Sequence, residues 1–391
     1  MAQLRYWIWL TTLVGVRSIT VQRLMERFGG PMEIFFGNLD GVGELNAYER
    51  TALANKDMSR TENVLEKCRN DGIRILTVQD ALYPERLRQI ADPPPVLYVR
   101  GTLPFLDELP AIAVVGTRKA TPYGLKIARQ LGQEITAGGG CVVTGMASGI
   151  DGAAARGALL ENGPCVGVLG TAIDVDYPAE NASLIKDVAT VGAIISEFPP
   201  GYPTKGENFP RRNRVISGLS CGTCVVEAPR RSGALITADR ALEQGRDLFA
   251  VPGNVDCPNS VGTNGLIRDC ARAVTFGMDI LSEYEGLYPY AIRPDAEIFE
   301  APEPAEEKPR ETKSAIDKPP AIPYIDLESR IADYSADDQA VLRALKNGET
   351  HIDEVIAATG FPASKVLSAL TLLVIRGAVL SRPGKRYSLN L

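Results

Sequence analysis

A chain of 391 residues, 45% of them hydrophobic, can bury a large core, and the usual domain size divides it into about two or three domains. A net charge of -6 excludes a protein that coats polyanions with a whole basic face, so any nucleic-acid site must be a local basic pocket. No apolar run approaches the roughly 20 residues of a membrane span, which leaves no visible anchor and makes the cytoplasm the expected compartment.

From the N-terminus, Tyr6-Trp7-Ile8-Trp9-Leu10 is apolar, yet threonines and Arg17 follow it without a small-residue cleavage site, so it reads as a buried helix. Residues 1–80 carry helical patterns separated by Val14-Gly15-Val16 and Gly41-Val42-Gly43, with no convincing strands. This predicts a small helical domain of helix-hairpin-helix or SAM-like type. Glycine turns of that kind let backbone amides approach a DNA phosphate, and a purely structural turn explains them at least as well.

Residues 81–290 form the expected core. Between 111 and 276, apolar runs alternate with helical patterns: Ala111–Val115, Cys141–Thr144, Cys165–Leu169, Ala193–Ser196, Thr223–Glu227 and Asp247–Val251. The alternation predicts an α/β fold, a Rossmann-like doubly wound and mostly parallel sheet with helices on both faces. Thr121-Pro122 caps and starts a helix whose Ile127, Leu131 and Ile135 recur at four-residue spacing, and Gly138-Gly139-Gly140 stops it. The seven cysteines are an odd number, and those in apolar runs read as reduced core residues. Cys221-Gly-Thr-Cys224 has C-x-x-C spacing without a second pair or a histidine near it, so neither zinc nor any other cofactor is expected.

Seven prolines fall among Glu, Lys and Ala between Pro294 and Pro323, which reads as a linker over 291–328. Beyond it, 329–391 shows three helical patterns, Asp337–Leu345, Ile352–Thr359 and Ser364–Arg376, then a hairpin of Ala378–Ser381 and Tyr387–Leu389. That order resembles a winged helix, with Ser364 capping the third helix and Arg382-Pro383-Gly384-Lys385-Arg386 as the wing tip. Such a domain reads duplex DNA or docks a protein, and the acidic residues Asp337, Asp338, Glu349, Asp353 and Glu354 favour docking.

Ligands of doubly wound sheets bind beyond the carboxyl ends of the strands, so the loops there carry the functional signal. Gly116-Thr117-Arg118 follows the first run and Thr144-Gly145-Met146-Ala147-Ser148-Gly149-Ile150-Asp151 the second. Glycines expose backbone amides and a helix N-terminus to an anion, and an arginine adds a charged fork. The alternative is an ordinary tight strand-to-helix turn. Phe209-Pro210-Arg211-Arg212-Asn213-Arg214, preceded by Lys205, sets an aromatic ring beside clustered arginines, as a site for single-stranded nucleic acid requires. Basic charge at a helix N-terminus opposes the macrodipole, so a purely structural role explains it poorly.

The single histidine, His351, lies far from these loops, which leaves no Ser/His/Asp or Cys/His arrangement in the core and no expected catalytic residue. Neither G-x-G-x-x-G nor G-x-x-x-x-G-K-S/T is present, so dinucleotide and ATPase readings lack their fingerprints.

Together VVGTR at 114–118, TGMASGID at 144–151, YP at 177–178, SEFPP at 196–200, FPRRNRVISGLS at 209–220, VVEAPRRSGALITA at 225–238 and VPG at 251–253 resemble the DprA/Smf family of DNA-processing proteins. The resemblance spans about 83 to 276 and extends to the flanking architecture. It implies binding of single-stranded DNA, dimerisation, protection of incoming DNA and loading of the RecA recombinase in natural transformation. Single-strand binding protein is a further candidate partner. By motif, the implied DNA site is Gly116, Thr117, Arg118, Gly145, Gly149, Lys205, Phe209, Arg212, Asn213 and Arg214, without metal or catalytic residues. Two positions depart from the family pattern: Ala155 stands where a histidine is usual and Cys270 where a glycine is usual.

Two other functions are carried forward. A nucleotide phosphoribohydrolase of the lysine-decarboxylase-like group shares a Rossmann-like sheet, but its P-G-G-x-G-T-x-x-E hallmark is replaced here by Ala228-Pro229-Arg230-Arg231-Ser232-Gly233-Ala234, which lacks the glutamate. A duplex-DNA regulator would act through the winged helix alone.

Overall fold

In a computed structural model the described residues are 3–296, except 14, 17, 40, 41, 43 and 44, and 331–389, except 332, 333, 347, 349, 377, 383 and 384. They fall into two compact units, residues 1–304 and 305–391. Most of the proline-rich stretch, part of both glycine turns of the helical region, and Pro383 and Gly384 of the wing tip lie outside the described residues.

The first unit begins with helices α1 (Leu4–Thr12), α2 (Ser18–Phe28), α3 (Pro31–Phe36), α4 (Ala47–Ala54) and α5 (Ser59–Asn70). Apart from the exposed Arg5, α1 is mostly apolar, with Trp7, Ile8, Trp9 and Leu10 in succession, and it is buried on more than one side. Trp9 and Leu10 join Val21, Leu24, Ile34 and Leu53 in a small helical core, whereas Trp7 and Ile8 pack into the core of the sheet. The expectation of no strands before residue 80 is corrected by β1 (Arg74–Thr77), which pairs with β2 (Val96–Gly101) at the edge of the sheet. β1 escapes the sequence pattern because it is four residues long and only half buried.

The sheet continues through β3 (Ala111–Val115), β4 (Cys141–Thr144), β5 (Cys165–Leu169), β6 (Ala193–Ser196), β7 (Gly222–Val225), β8 (Asp247–Ala250) and β9 (Arg272–Ala273). Its order is β1-β2-β6-β5-β4-β3-β7-β8-β9. β2 runs antiparallel to both neighbours, and the remaining pairings are parallel. The mostly parallel doubly wound sheet is therefore the observed fold, and β3 to β6 coincide with the apolar runs.

Period-2 alternation divides the buried strands between two cores. Ile112, Val114, Val142 and Ile194 face one, with α7 (Pro122–Ala137), α8 (Ile150–Leu160), α9 (Ala182–Val191) and, near the end of the unit, α13 (Met278–Leu281). Ala111, Ala113, Val143 and Ile195 face the other, with α6 (Glu85–Arg88), α10 (Asn208–Leu219), α11 (Gly233–Glu243) and α12 (Val261–Asp269). The unit continues past 290: Ile292 is buried in the first core and the Arg293 amide donates to the Gly138 carbonyl at 2.9 Å.

In the second unit α14 (Ala336–Ala344), α15 (Ile352–Thr359) and α16 (Ala363–Ile375) pack Val341, Val355, Leu370 and Leu373 around one core. β10 (Thr350–His351), β11 (Val379–Arg382) and β12 (Arg386–Leu389) form an antiparallel sheet of order β10-β12-β11. The expected cap Ser364 is corrected: α16 begins at Ala363 after Pro362, so Ser364 lies inside the first turn and no side chain caps the helix. No single helix among the described residues is long and apolar enough to cross a membrane.

α7 and α8 touch through glycines. A Cβ on Gly132 would lie 2.1 Å from the Ala154 carbonyl oxygen, and one on Gly157 would lie 2.0 Å from that of Arg129. The obstacle is backbone and cannot swing aside. Gly132→Ala should therefore lower stability by about 1–3 kcal/mol in urea denaturation. Wild-type stability would show that the two helices separate at little expense.

Candidate nucleic-acid interface

β4, β3 and β7 lie side by side, and β3 is where chain order reverses, so the loops beyond their carboxyl ends share one crevice. The loop after β3 is short because Thr121 ends it as the N-cap of α7, accepting from the Gly124 amide at 3.1 Å. Glu227, buried at the end of β7, ties this loop to its neighbours. Its carboxylate accepts from the Thr121 amide at 2.9 Å, from the Thr121 hydroxyl, and from Asn259 Nδ2 at 3.4 Å. The loop after β4 turns at Gly149, whose φ of +76° favours glycine, and a Cβ there would sit 2.4 Å from the Thr117 carbonyl.

α10 presents two faces at helical spacing. Phe209, Arg212, Asn213 and Ile216 line a cleft of about 560 Å³ together with Gly116, Thr117 and Arg118. Arg211 and Arg214, three apart on another face, both reach Glu197 Oε1 at 2.8 Å. Arg214 also bonds Asp92 at 3.0 Å. Its side chain is only 8% exposed and takes no part in lining the cleft.

Arg212 forms the floor. Its guanidinium donates to the Gly145 carbonyl at 2.7 Å and to the Val168 carbonyl, and it faces the buried Asp151. Burial lowers the guanidinium to about 10, against the pull of Asp151 and with the help of Arg118, so it stays charged near neutral pH. Burial likewise raises the Asp151 carboxyl, although Arg212 and the amides of Ala147, Gly116 and Gly145 act to lower it. Desolvation outweighs mutual attraction on both sides of the pair. Gly145 is required here, since a Cβ would fall 2.6 Å from Asp151 Oδ2 and 2.7 Å from the Arg212 guanidinium.

The wall of the cleft is exposed. Arg118 lies over the Phe209 ring, 5.4 Å from its centroid, and Tyr177 meets the same ring at 5.4 Å. No ion pair holds Arg118 among the described residues. The structure thus brings together Gly116, Thr117, Arg118, Phe209, Arg212 and Asn213, with Gly145 and Gly149 shaping the floor behind them. The expectation that Arg118, Lys205, Arg212 and Arg214 line one pocket is corrected for two members: Arg214 is consumed by carboxylates, and Lys205 is an exposed residue outside the lining, 3.7 Å from Glu207. Three participants were missing from the motif assignment. Asp151 counters Arg212, Tyr177 stands against Phe209, and Arg231 also lines the cleft. The repeated arginine just before the Ser232 cap of α11 was the available signal for Arg231.

Among known proteins, the sequence profile of the family described as DNA recombination-mediator protein A matches residues 74–285, and that of the DprA winged helix domain matches 326–385. Protein Smf of Synechocystis sp. is 31% identical over 398 aligned residues, which cover 98% of each chain. DNA processing protein DprA of Bacillus subtilis is 40% identical over 220 residues, 56% of this chain and 74% of its own. The X-ray structure of DNA processing protein A from Streptococcus pneumoniae aligns with a TM-score of 0.63 at 33% identity, over 71% of this chain and 97% of that one.

The two classes of arginine separate by stability. Arg214→Ala strands Glu197 in a buried site with only Arg211 left, and should lower unfolding free energy by about 3 kcal/mol. Arg118→Ala should stay within about 0.5 kcal/mol of wild type. Chemical denaturation of both variants decides it, and equal effects would reverse the assignment of Arg214.

Proposed function

We propose that this chain, which belongs to the DprA/Smf family, binds single-stranded DNA in the cleft at the carboxyl ends of β3, β4 and β7. The observation that carries this reading is Arg118 lying over Phe209 without an ion pair among the described residues. One guanidinium can meet a phosphate while the adjacent ring offers a face to a base, which is how single strands are held without sequence readout. Arg212 adds positive potential from below, and the first turns of α8, α10 and α11 line the cleft through Asp151, Phe209 and Gly233.

Membership of the family extends the proposal to protection of incoming DNA and its delivery to RecA in the cytoplasm during transformation. Single-strand binding protein would be the coat displaced, and a second copy of the chain a partner. The description of the matched family as a recombination mediator supports this. We read the function as binding rather than turnover: residues 1–304 contain no histidine, and Asp151, the buried carboxylate among the described residues that line the cleft, is engaged with Arg212. Release of base from a nucleoside monophosphate above background would favour the phosphoribohydrolase reading. Sequence-specific duplex binding that survives loss of residues 1–304 would favour the winged-helix regulator.

In a filter-binding salt series, Arg118→Ala should weaken binding of all single-stranded sequences alike and lower the slope of log affinity against log salt by roughly 0.7. Phe209→Ala should lose about 1–3 kcal/mol with the slope nearly unchanged. If folded Arg118→Ala binds like wild type, the cleft is not the DNA site. Asp151→Asn should act in the opposite direction, steepening the slope because Arg212 loses its counter-charge. Since burial raises the Asp151 carboxyl, lowering the pH through its titration should strengthen wild-type binding and leave Asp151→Asn unmoved. Identical pH profiles for the two proteins would remove Asp151 from the account.

A further inference from the structure

Arg231 borders the cleft on one side and a second, more open depression of about 780 Å³ on the other. Pro229, Arg230, Pro258 and Val261 line the remainder of that depression, and Pro229 is likewise common to both. The shared residues set the two depressions side by side, on either side of the loop between β7 and α11.

This outer stretch is held in place from both ends. The Ala228 amide donates to the Asn259 carbonyl at 2.8 Å, and the Ala228 carbonyl accepts from the Gly262 amide at 2.8 Å. Ser232 then caps α11. Between these anchors Arg230 and Arg231 are exposed, and among the described residues neither has a carboxylate within ion-pair distance. In a chain of net charge -6, adjacent unpaired arginines on a fixed loop are an unrelieved cationic spot. Beside them lie rigid apolar faces, two proline rings and the Val261 side chain, 45% exposed. Charge for a backbone next to apolar surface for sugars and bases is the chemistry of a continuing single strand.

Resting on the reading of the cleft as the primary DNA site, we propose that this ledge is a second subsite that takes the nucleotides emerging past Arg231. Arg230 meets a phosphate there, and Pro229, Pro258 and Val261 pack against sugar or base. Short oligonucleotides fill the cleft alone; longer ones gain affinity by lying along the ledge.

The test uses the full chain and oligothymidylates from about 4 to about 16 nucleotides long. Wild-type affinity should rise with length beyond the shortest species. Arg230→Ala should leave the shortest oligomers unaffected and weaken the longest by about fivefold at ~0.1 M salt, with a slope lower by roughly 0.7. Val261→Asp should show the same length dependence, and because it sits on the first, exposed residue of α12, where an acidic residue suits the helix dipole, the fold should be kept. Wild-type affinity independent of length, or variants that change every length equally or none, would overturn the ledge while Arg118→Ala still reports on the cleft. Failure of the wild type to bind any length would remove both readings together.

Discussion

One buried guanidinium at the floor of the cleft joins segments that the chain keeps far apart. Arg212 reaches the carbonyls at the ends of β4 and β5 and faces Asp151 in the first turn of α8. Removing both charges from water is unfavourable, as their shifts show, and the arrangement persists because backbone amides also serve the carboxylate. What it secures is position. The start of α10 is fixed against β4, β5 and α8, and Phe209, three residues before Arg212, is carried on the same helical face. Gly149 meanwhile brings the loop bearing Arg118 hard against α8, with the Ile150 amide donating to the Thr117 carbonyl at 3.3 Å. The contact of Arg118 with Phe209 follows from these two constraints.

The arginines around this point share a charge and differ in what they can do with it. Arg214 is buried between two carboxylates that more than offset its burial and hold its guanidinium above the ordinary value, so its charge belongs to the fold. Arg212 is half spent on Asp151, and Arg211 shares Glu197 with Arg214. Arg118, Arg230 and Arg231 face solvent without an ion pair among the described residues. A chain that is acidic overall can hold a polyanion at such a place, because at physiological salt exposed charges are screened beyond about 8 Å and the near field decides.

Much of this was legible in the sequence. Parallel strands covered on both faces read as unbroken apolar runs, and Thr121-Pro122 announces α7 with its cap. The loops beyond those runs contain most of the cleft. Arg214 could have been set aside by the same periodicity, since a residue two positions from Arg212 on a helix points elsewhere, but the partners that bury it, Asp92 and Glu197, come from segments that only the tertiary fold brings near. Lys205 precedes α10 and has no helical register to place it. Arg231 and Tyr177 stand in motifs legible in the sequence, but whether their side chains reach the cleft depends on which strands become neighbours. β1 was too short, and Ser364 too ordinary a cap residue, for local pattern to decide.

Several hydrogen-bonding groups that line the cleft already have partners within the protein. Asn213 Nδ2 donates to the Gly233 carbonyl at 3.3 Å and its oxygen accepts from Arg212 Nε at 3.3 Å. The Thr117 hydroxyl accepts from the Lys119 amide at 3.2 Å, and that of Ser232 from the Ala234 amide at 3.3 Å. Reading a base requires donors and acceptors that are free and aimed at its edge. What the cleft turns outward is instead guanidinium charge and ring face, which every nucleotide can satisfy through its phosphate and its π-surface. On the proposed reading, such a site would distinguish single strands from duplex, because stacking needs an unpaired base, and would be indifferent to sequence.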